Sequence, residues 1–202
     1  SRDGGSFTSR RVVAIQHGKQ IFHLAASFQK QEDGLNHQDM MPKVENPENL
    51  ITEDELRKKI SDSLPEEYRD SFKKEWPVEV RPIDPIDLLD PKPKEAKQFV
   101  WFRARSKLPK DVSLQQCVLA YMSDMTLLDT CTNPHGINFM NPNLHSASLD
   151  HAMWFHRPFK ADEWLLYQQD SPSASGARGF NRGSIFDTDG KLIASVAQEG
   201  LI

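Results

Sequence analysis

The chain has 202 residues, 38% of them hydrophobic and 27% charged, which is enough apolar material for a packed core and argues against wholesale disorder. Its 25 basic and 29 acidic side chains leave a formal charge of −4, whereas a dedicated nucleic-acid binder needs a basic excess to displace phosphate counterions. Two cysteines, Cys117 and Cys131, are too few for a disulfide framework and read as thiols; no apolar run approaches the ~18 residues of a membrane span.

The chain opens Ser1-Arg2-Asp3-Gly4-Gly5, which reads as an interior turn, so a preceding segment is expected. Residues 6–28 predict a β-hairpin. Phe22, Leu24, Ala26 and Phe28 alternate with Ile21, His23, Ala25 and Ser27, and Gln16-His17-Gly18-Lys19 supplies the reversal. Residues 30–76 turn charge-dense. Thr52 and Glu55 form a capping-box signature, Leu56 and Ile60 give a thin apolar stripe, and a second short helix is expected from Glu66 to Lys74. Such a run reads as a solvated face and is given no chemistry.

A second globular unit starts near Val78, with strands expected at Val78–Pro82 and Phe99–Ala104. Ser113–Leu128 then predicts a helix apolar nearly all round, hence buried. Further strands are expected at His145–Phe155, Glu163–Gln169, Gly176–Phe186 and Lys191–Gln198, the last two joined by Asp187-Thr188-Asp189-Gly190. One long helix wrapped by a curved antiparallel sheet is an α+β arrangement, the hotdog architecture. Arg10–Gln29 and Arg178–Gln198 also resemble each other, with Arg-to-Gln spans of 19 and 20 residues. They are either two unrelated hairpins or a duplication whose first copy lacks its front.

Three features carry candidate chemistry. Asp124 places a carboxylate in an apolar helix, which is either a working group or a residue on a face that meets solvent. In the run from Ser146 to Phe159, strand alternation puts Ser148, Asp150, Ala152, Trp154 and His156 on one face, suited to a pocket wall. Asp150 and His151 then point to opposite faces, and no Gly-x-Ser-x-Gly elbow presents a serine, so a Ser-His-Asp triad is discounted. The spacing of His145, His151 and His156 fits no metal motif, and no metal is expected. Gln198 ends the last strand, on the face of Leu192, Ala194 and Val196.

Several motifs carry a family resemblance over nearly the whole chain. They are Arg2-Asp3-Gly4-Gly5-Ser6-Phe7, Arg10-Arg11-Val12, Ala26-Ser27-Phe28-Gln29, His37-Gln38, Ser123-Asp124 and Pro134-His135-Gly136. The strongest is Ser148-Leu149-Asp150-His151-Ala152-Met153-Trp154-Phe155-His156-Arg157-Pro158-Phe159, followed by Glu163-Trp164-Leu165-Leu166-Tyr167 and Ala197-Gln198-Glu199-Gly200. With them the chain resembles the type II acyl-CoA thioesterases, the double-hotdog family of bacterial thioesterase II and the peroxisomal acyl-CoA thioesterases.

The resemblance implies that Asp124, Ser148 and Gln198 act together, the second position being Thr in some members and Ser in others. They would hold a water that attacks the thioester carbonyl directly, with Asp124 as general base and Ser148 orienting water rather than forming an acyl-enzyme. No His is expected beside Ser148, and Asp150 and His151 become structural support. The acyl chain would lie in an apolar tunnel lined by Met122, Met125 and Trp154, with Arg178 or Lys191 at the CoA phosphates. No cofactor is implied. The expected partners are acyl-CoA and further copies of the chain, as a homo-dimer or tetramer; the compartment is cytoplasmic, with the peroxisome as alternative. A non-catalytic acyl-CoA-binding module and an enoyl-CoA hydratase are the competing functions. The expected organisation is the C-terminal part of a first hotdog at 1–42, a charged helical linker at 43–77 and a complete second hotdog at 78–202. The first hotdog is thus expected to be incomplete.

Overall fold

The computed structural model describes residues 2–202, which divide into two compact units, one ending at His37 and the other running from Gln38 to Ile202. In the first, β1 (Arg2–Asp3), β2 (Phe7–Gln16) and β3 (Lys19–Gln29) form an antiparallel three-stranded sheet in that order. The expected reversal forms with Gln16 paired to Lys19. His17 and Gly18 both take positive φ, 49° and 74°, the primed-turn geometry that matches strand twist. Nearly every residue of β2 and β3 is exposed, including Ile15, Ile21, Phe22 and Phe28.

The second unit begins with a strap. Gln38 donates to the Gly190 carbonyl (2.7 Å) and accepts from the Leu192 N–H (3.1 Å). The Trp101 indole donates to the Glu45 carbonyl (2.9 Å) and the Trp164 indole to Glu48 (2.8 Å). Helices α1 (Glu53–Ser61) and α2 (Glu66–Lys73) follow. The Thr52–Glu55 capping box is closed in both directions. The solvated face expected of this charge-dense stretch needs correction at two residues. Asp54 and Arg57 are buried, paired with each other, with Asp54 also bound to Arg105 and Arg57 stacked 4.5 Å over Trp76. A guanidinium stem packs well on an aromatic face, so charge alone does not keep it in water.

The remaining elements are β4 (Val78–Pro82), β5 (Lys97–Ala104), α3 (Val112–Asp124), β6 (Ala147–Ser148), β7 (Ala152–Phe155), β8 (Leu165–Ser175), β9 (Arg178–Asp187) and β10 (Leu192–Leu201). The seven strands make one antiparallel sheet, β4-β5-β8-β9-β10, with β6 and β7 both on the outer edge of β10. Alternation sorts its side chains into two cores. Val80, Val100, Phe102, Leu165, Tyr167, Ile185 and Val196 pack with Leu119 and Met122 of α3. On the other face Trp101, Trp164, Leu166 and Phe186 pack together under Met41, Val44 and Leu50 of the strap. A sheet around one long helix is the expected α+β hotdog architecture. Among the described residues no helix is long and apolar enough to cross a membrane.

The expectation of a helix buried all round is corrected. Helix α3 buries Gln115, Leu119, Met122 and Ser123, while Val112, Leu114, Cys117, Tyr121 and Asp124 are exposed. Apolar residues on the outer stripe mimic an all-round pattern without being covered in this chain.

Candidate functional site

Helix α3 starts on an Asp111 cap, whose carboxylate accepts from the Leu114 N–H (2.9 Å), and ends at Asp124, four residues before the expected Leu128. Met125 turns extended and Thr126 takes φ 67°. A β-branched residue at positive φ is strained and persists only when its surroundings hold it. Gln98 supplies one hold, donating to the Thr126 carbonyl (2.6 Å). Gln169 supplies the other, donating to Thr126 Oγ1 (2.8 Å). This clamp makes Asp124 the last helical residue. A carboxylate on the C-terminal turn opposes the helix dipole, a placement that helix stability does not favour.

Below it, the Tyr167 hydroxyl donates to the Ser123 carbonyl (2.9 Å). Burial, and then the nearby Asp124 charge, hold the Tyr167 phenol well above its ordinary pKa, so it stays a donor. The Tyr167 ring edge lies against Gly183, where any Cβ would overlap it.

Ser148 and Gln198 reach Asp124 from the sheet edge. Gln198 Nε2 donates to Ser148 Oγ (2.8 Å), and Ser148 Oγ donates to Asp124 Oδ1 (3.2 Å). The structure therefore brings all three expected residues into one hydrogen-bonded chain. Gln198 is fully buried on the face shared with Ala194 and Val196, while the Asp124 side chain is 57% exposed. Leu192 has left that face, because the β9–β10 register shifts between Leu192 and Ala194.

His151 joins the same cluster, which the sequence reading did not expect. Its Nδ1 lies 2.6 Å from Gln198 Oε1 and 4.0 Å from Asp124 Oδ1, and its Nε2 lies 2.9 Å from Ser123 Oγ. The cause is a β-bulge. Ser148 pairs with Gly200 and Ala152 with Ala197, so one extra residue lies on this side of the ladder. The Leu149 and Asp150 N–H groups both reach the Glu199 carbonyl, at 2.9 and 3.4 Å. Alternation changes phase there. Ser148, His151 and Met153 turn toward the helix, and Asp150 instead accepts from the Glu199 N–H (2.9 Å). The double contact to one carbonyl carries no sequence mark apart from the run of polar residues.

The other candidates are more dispersed. Met122 and Met125 line a narrow apolar crevice with Val78, Val80, Val100, Phe102 and Thr126. Trp154 is 53% exposed and follows Met153 on β7, so it points to the opposite face and is not brought to that crevice. Arg178 pairs with Glu199 (3.0 Å), and Lys191 with Asp189 (3.1 Å). His156 bonds Ser195 (2.9 Å), and burial, then Arg157, lower its pKa. Among the described residues no group of three His, Cys, Asp or Glu side chains could hold a metal ion.

A family model described as "Acyl-CoA thioesterase" matches residues 67–201. Acyl-CoA thioesterase 2 of Haemophilus influenzae is 40% identical over 201 residues, covering all of this chain and 70% of that protein. Acyl-coenzyme A thioesterase 8 of mouse is 41% identical over 213 residues, covering all of this chain and 65% of that protein. Among solved structures, acyl-CoA thioesterase II TesB2 of Mycobacterium marinum superposes with TM-score 0.77 at 46% identity, over all of this chain and 70% of that one. A hot dog fold protein from Alicyclobacillus acidocaldarius, with TM-score 0.73 at 16% identity, shares the fold. The chain spans 65–70% of the length of the three thioesterases.

Proposed function

The chain belongs to the acyl-CoA thioesterase family, and on that premise we propose that it hydrolyses fatty acyl-CoA to free fatty acid and CoA by direct attack of water. The chain from Gln198 through Ser148 to Asp124 is the observation that carries this. Asp124 can take a proton from water at an exposed position, and Ser148, held between Gln198 and Asp124, is read as orienting that water. The water oxygen bonds to the thioester carbon as its proton passes to Asp124. The C–S bond then breaks, and the proton leaves with the CoA thiolate. A positioned general base of this kind contributes about 10²–10⁴-fold. Met122 and Met125, in their apolar crevice, are the proposed start of the acyl-chain path. The segment up to residue 42 is read as the C-terminal part of a first hotdog, 43–77 as a charged helical linker, and 78–202 as the second hotdog, which carries the reacting residues.

The test is thiol release from palmitoyl-CoA, followed with a thiol reagent, in the wild type and Asp124→Asn. Release by the wild type and a loss of about 10²–10⁴-fold in the variant support the proposal. Equal rates refute the role of Asp124. Tight acyl-CoA binding without thiol release favours a binding module, and hydration of enoyl-CoA without thiol release favours a hydratase.

A further inference from the structure

Proton bookkeeping along the cluster assigns a role to His151. A carboxylate only accepts, so the one Ser148 hydroxyl proton goes to Asp124. Ser148 Oγ must then accept from Gln198, which turns the carboxamide nitrogen toward Ser148 and its oxygen toward His151. A carbonyl oxygen also only accepts, so His151 Nδ1 carries a hydrogen. Reversed, the buried carboxamide would set NH₂ against Nδ1–H and present its oxygen to Ser148. That oxygen would take the serine proton away from Asp124.

We propose that His151 is a positioning residue: its Nδ1–H holds the Gln198 carboxamide the right way round and thereby aims the Ser148 proton at Asp124. The far side of the ring leaves this role intact. Nε2 meets Ser123 Oγ (2.9 Å), and that hydroxyl also reaches the Ala120 carbonyl (2.9 Å). When Ser123 donates to Nε2 the imidazole is neutral; when it donates to Ala120, Nε2 carries a proton and the ring is an imidazolium. Nδ1–H is present in both.

The proposal deepens the hydrolytic reading in its kinetic arm, and an activity-independent arm stands beside it. His151→Ala is expected to lower kcat for palmitoyl-CoA about 10- to 100-fold with KM unchanged. His151→Asn puts an amide N–H₂ where Nδ1–H was and is expected to recover to within about fivefold of wild type. In a Gln198→Ala background the His151→Ala loss should vanish, because the contact it acts through is gone. Nitrogen NMR of the wild-type imidazole should show Nδ1 protonated. An Asn variant no better than Ala, a full His151 loss in the Gln198→Ala background, or an unprotonated Nδ1 would each overturn the proposal. A wild type that releases no thiol would sink the hydrolytic reading while the NMR result still decides the His151 assignment. The NMR arm also stands if the Ala variant does not fold.

Discussion

The β2–β3 and β9–β10 hairpins have similar sequences and opposite surroundings. Both are long antiparallel pairs with a register shift, closed by a glycine at positive φ. In β2–β3 almost every side chain is exposed, whereas in β9–β10 Asn181, Ile185, Phe186, Ala194 and Gln198 are buried. Alternation and turn chemistry are local and make a hairpin in either place. Burial needs something to pack against, and β9–β10 has it on both faces: helix α3 with the turn at Leu128–Cys131, and the strap of residues 38–50.

Point substitutions measure that difference. Phe186→Ala removes a fully buried ring beneath the strap and should lower stability by about 3–5 kcal/mol in chemical denaturation. Gly183→Ala drives a methyl into the Tyr167 ring and should cost about 1–3 kcal/mol, with Tyr167 and the Ser123 carbonyl displaced. If it is silent, the close approach of β9 to β8 at this point is not tight in solution.

A pH series probes the turn that covers β9–β10. Burial raises the Asp129 carboxyl to about 6, and burial followed by the Asp129 charge raises Glu53 to about 7. The unfolded chain loses the Asp129 proton near pH 4 while the folded chain keeps it to about 6. Asp129 therefore lowers stability as pH rises through that interval, and the loss is complete above it. Asp129→Asn should leave the melting temperature unchanged near pH 4 and raise it by several degrees at pH 8, on the order of 3 kcal/mol. The smallest effect is expected at the exposed hairpin. Phe22→Ala, at a side chain 54% exposed, should shift stability by less than about 0.5 kcal/mol. A loss above 1 kcal/mol would mean that another surface covers this sheet in solution.

These contrasts follow the line between what was legible in the sequence and what was not. Strands, hairpin turns and the Thr52 capping box depend on neighbours a few residues away. The helix end does not. Met125–Leu128 continues an apolar pattern, and Thr126 is held out of it by Gln98 and Gln169, 28 and 43 residues distant. Arg57 looked solvated because Trp76, which shields it, lies outside its helix. Resemblance to a family is what groups Asp124, Ser148 and Gln198; composition and periodicity alone do not decide the role of Asp124. Strict alternation separates His151 from Ser148, but the strand breaks step at Leu149 and brings them to one side.

That break has a second consequence, for solubility. The edge of the sheet beside β10 is two residues of β6 and four of β7, offset by the extra residue opposite Glu199. The His156 and Arg157 N–H groups likewise converge on the Ile193 carbonyl, at 2.8 and 3.4 Å. A straight edge from Ala147 to Phe155 would present an unbroken row of backbone groups to any passing strand, the usual seed of edge-to-edge aggregation. Broken at Leu149–Asp150 and closed off by the second irregularity just past Phe155, it makes a poor template. The irregularity that turns His151 toward Gln198 thus also guards the open side of the sheet against unwanted company.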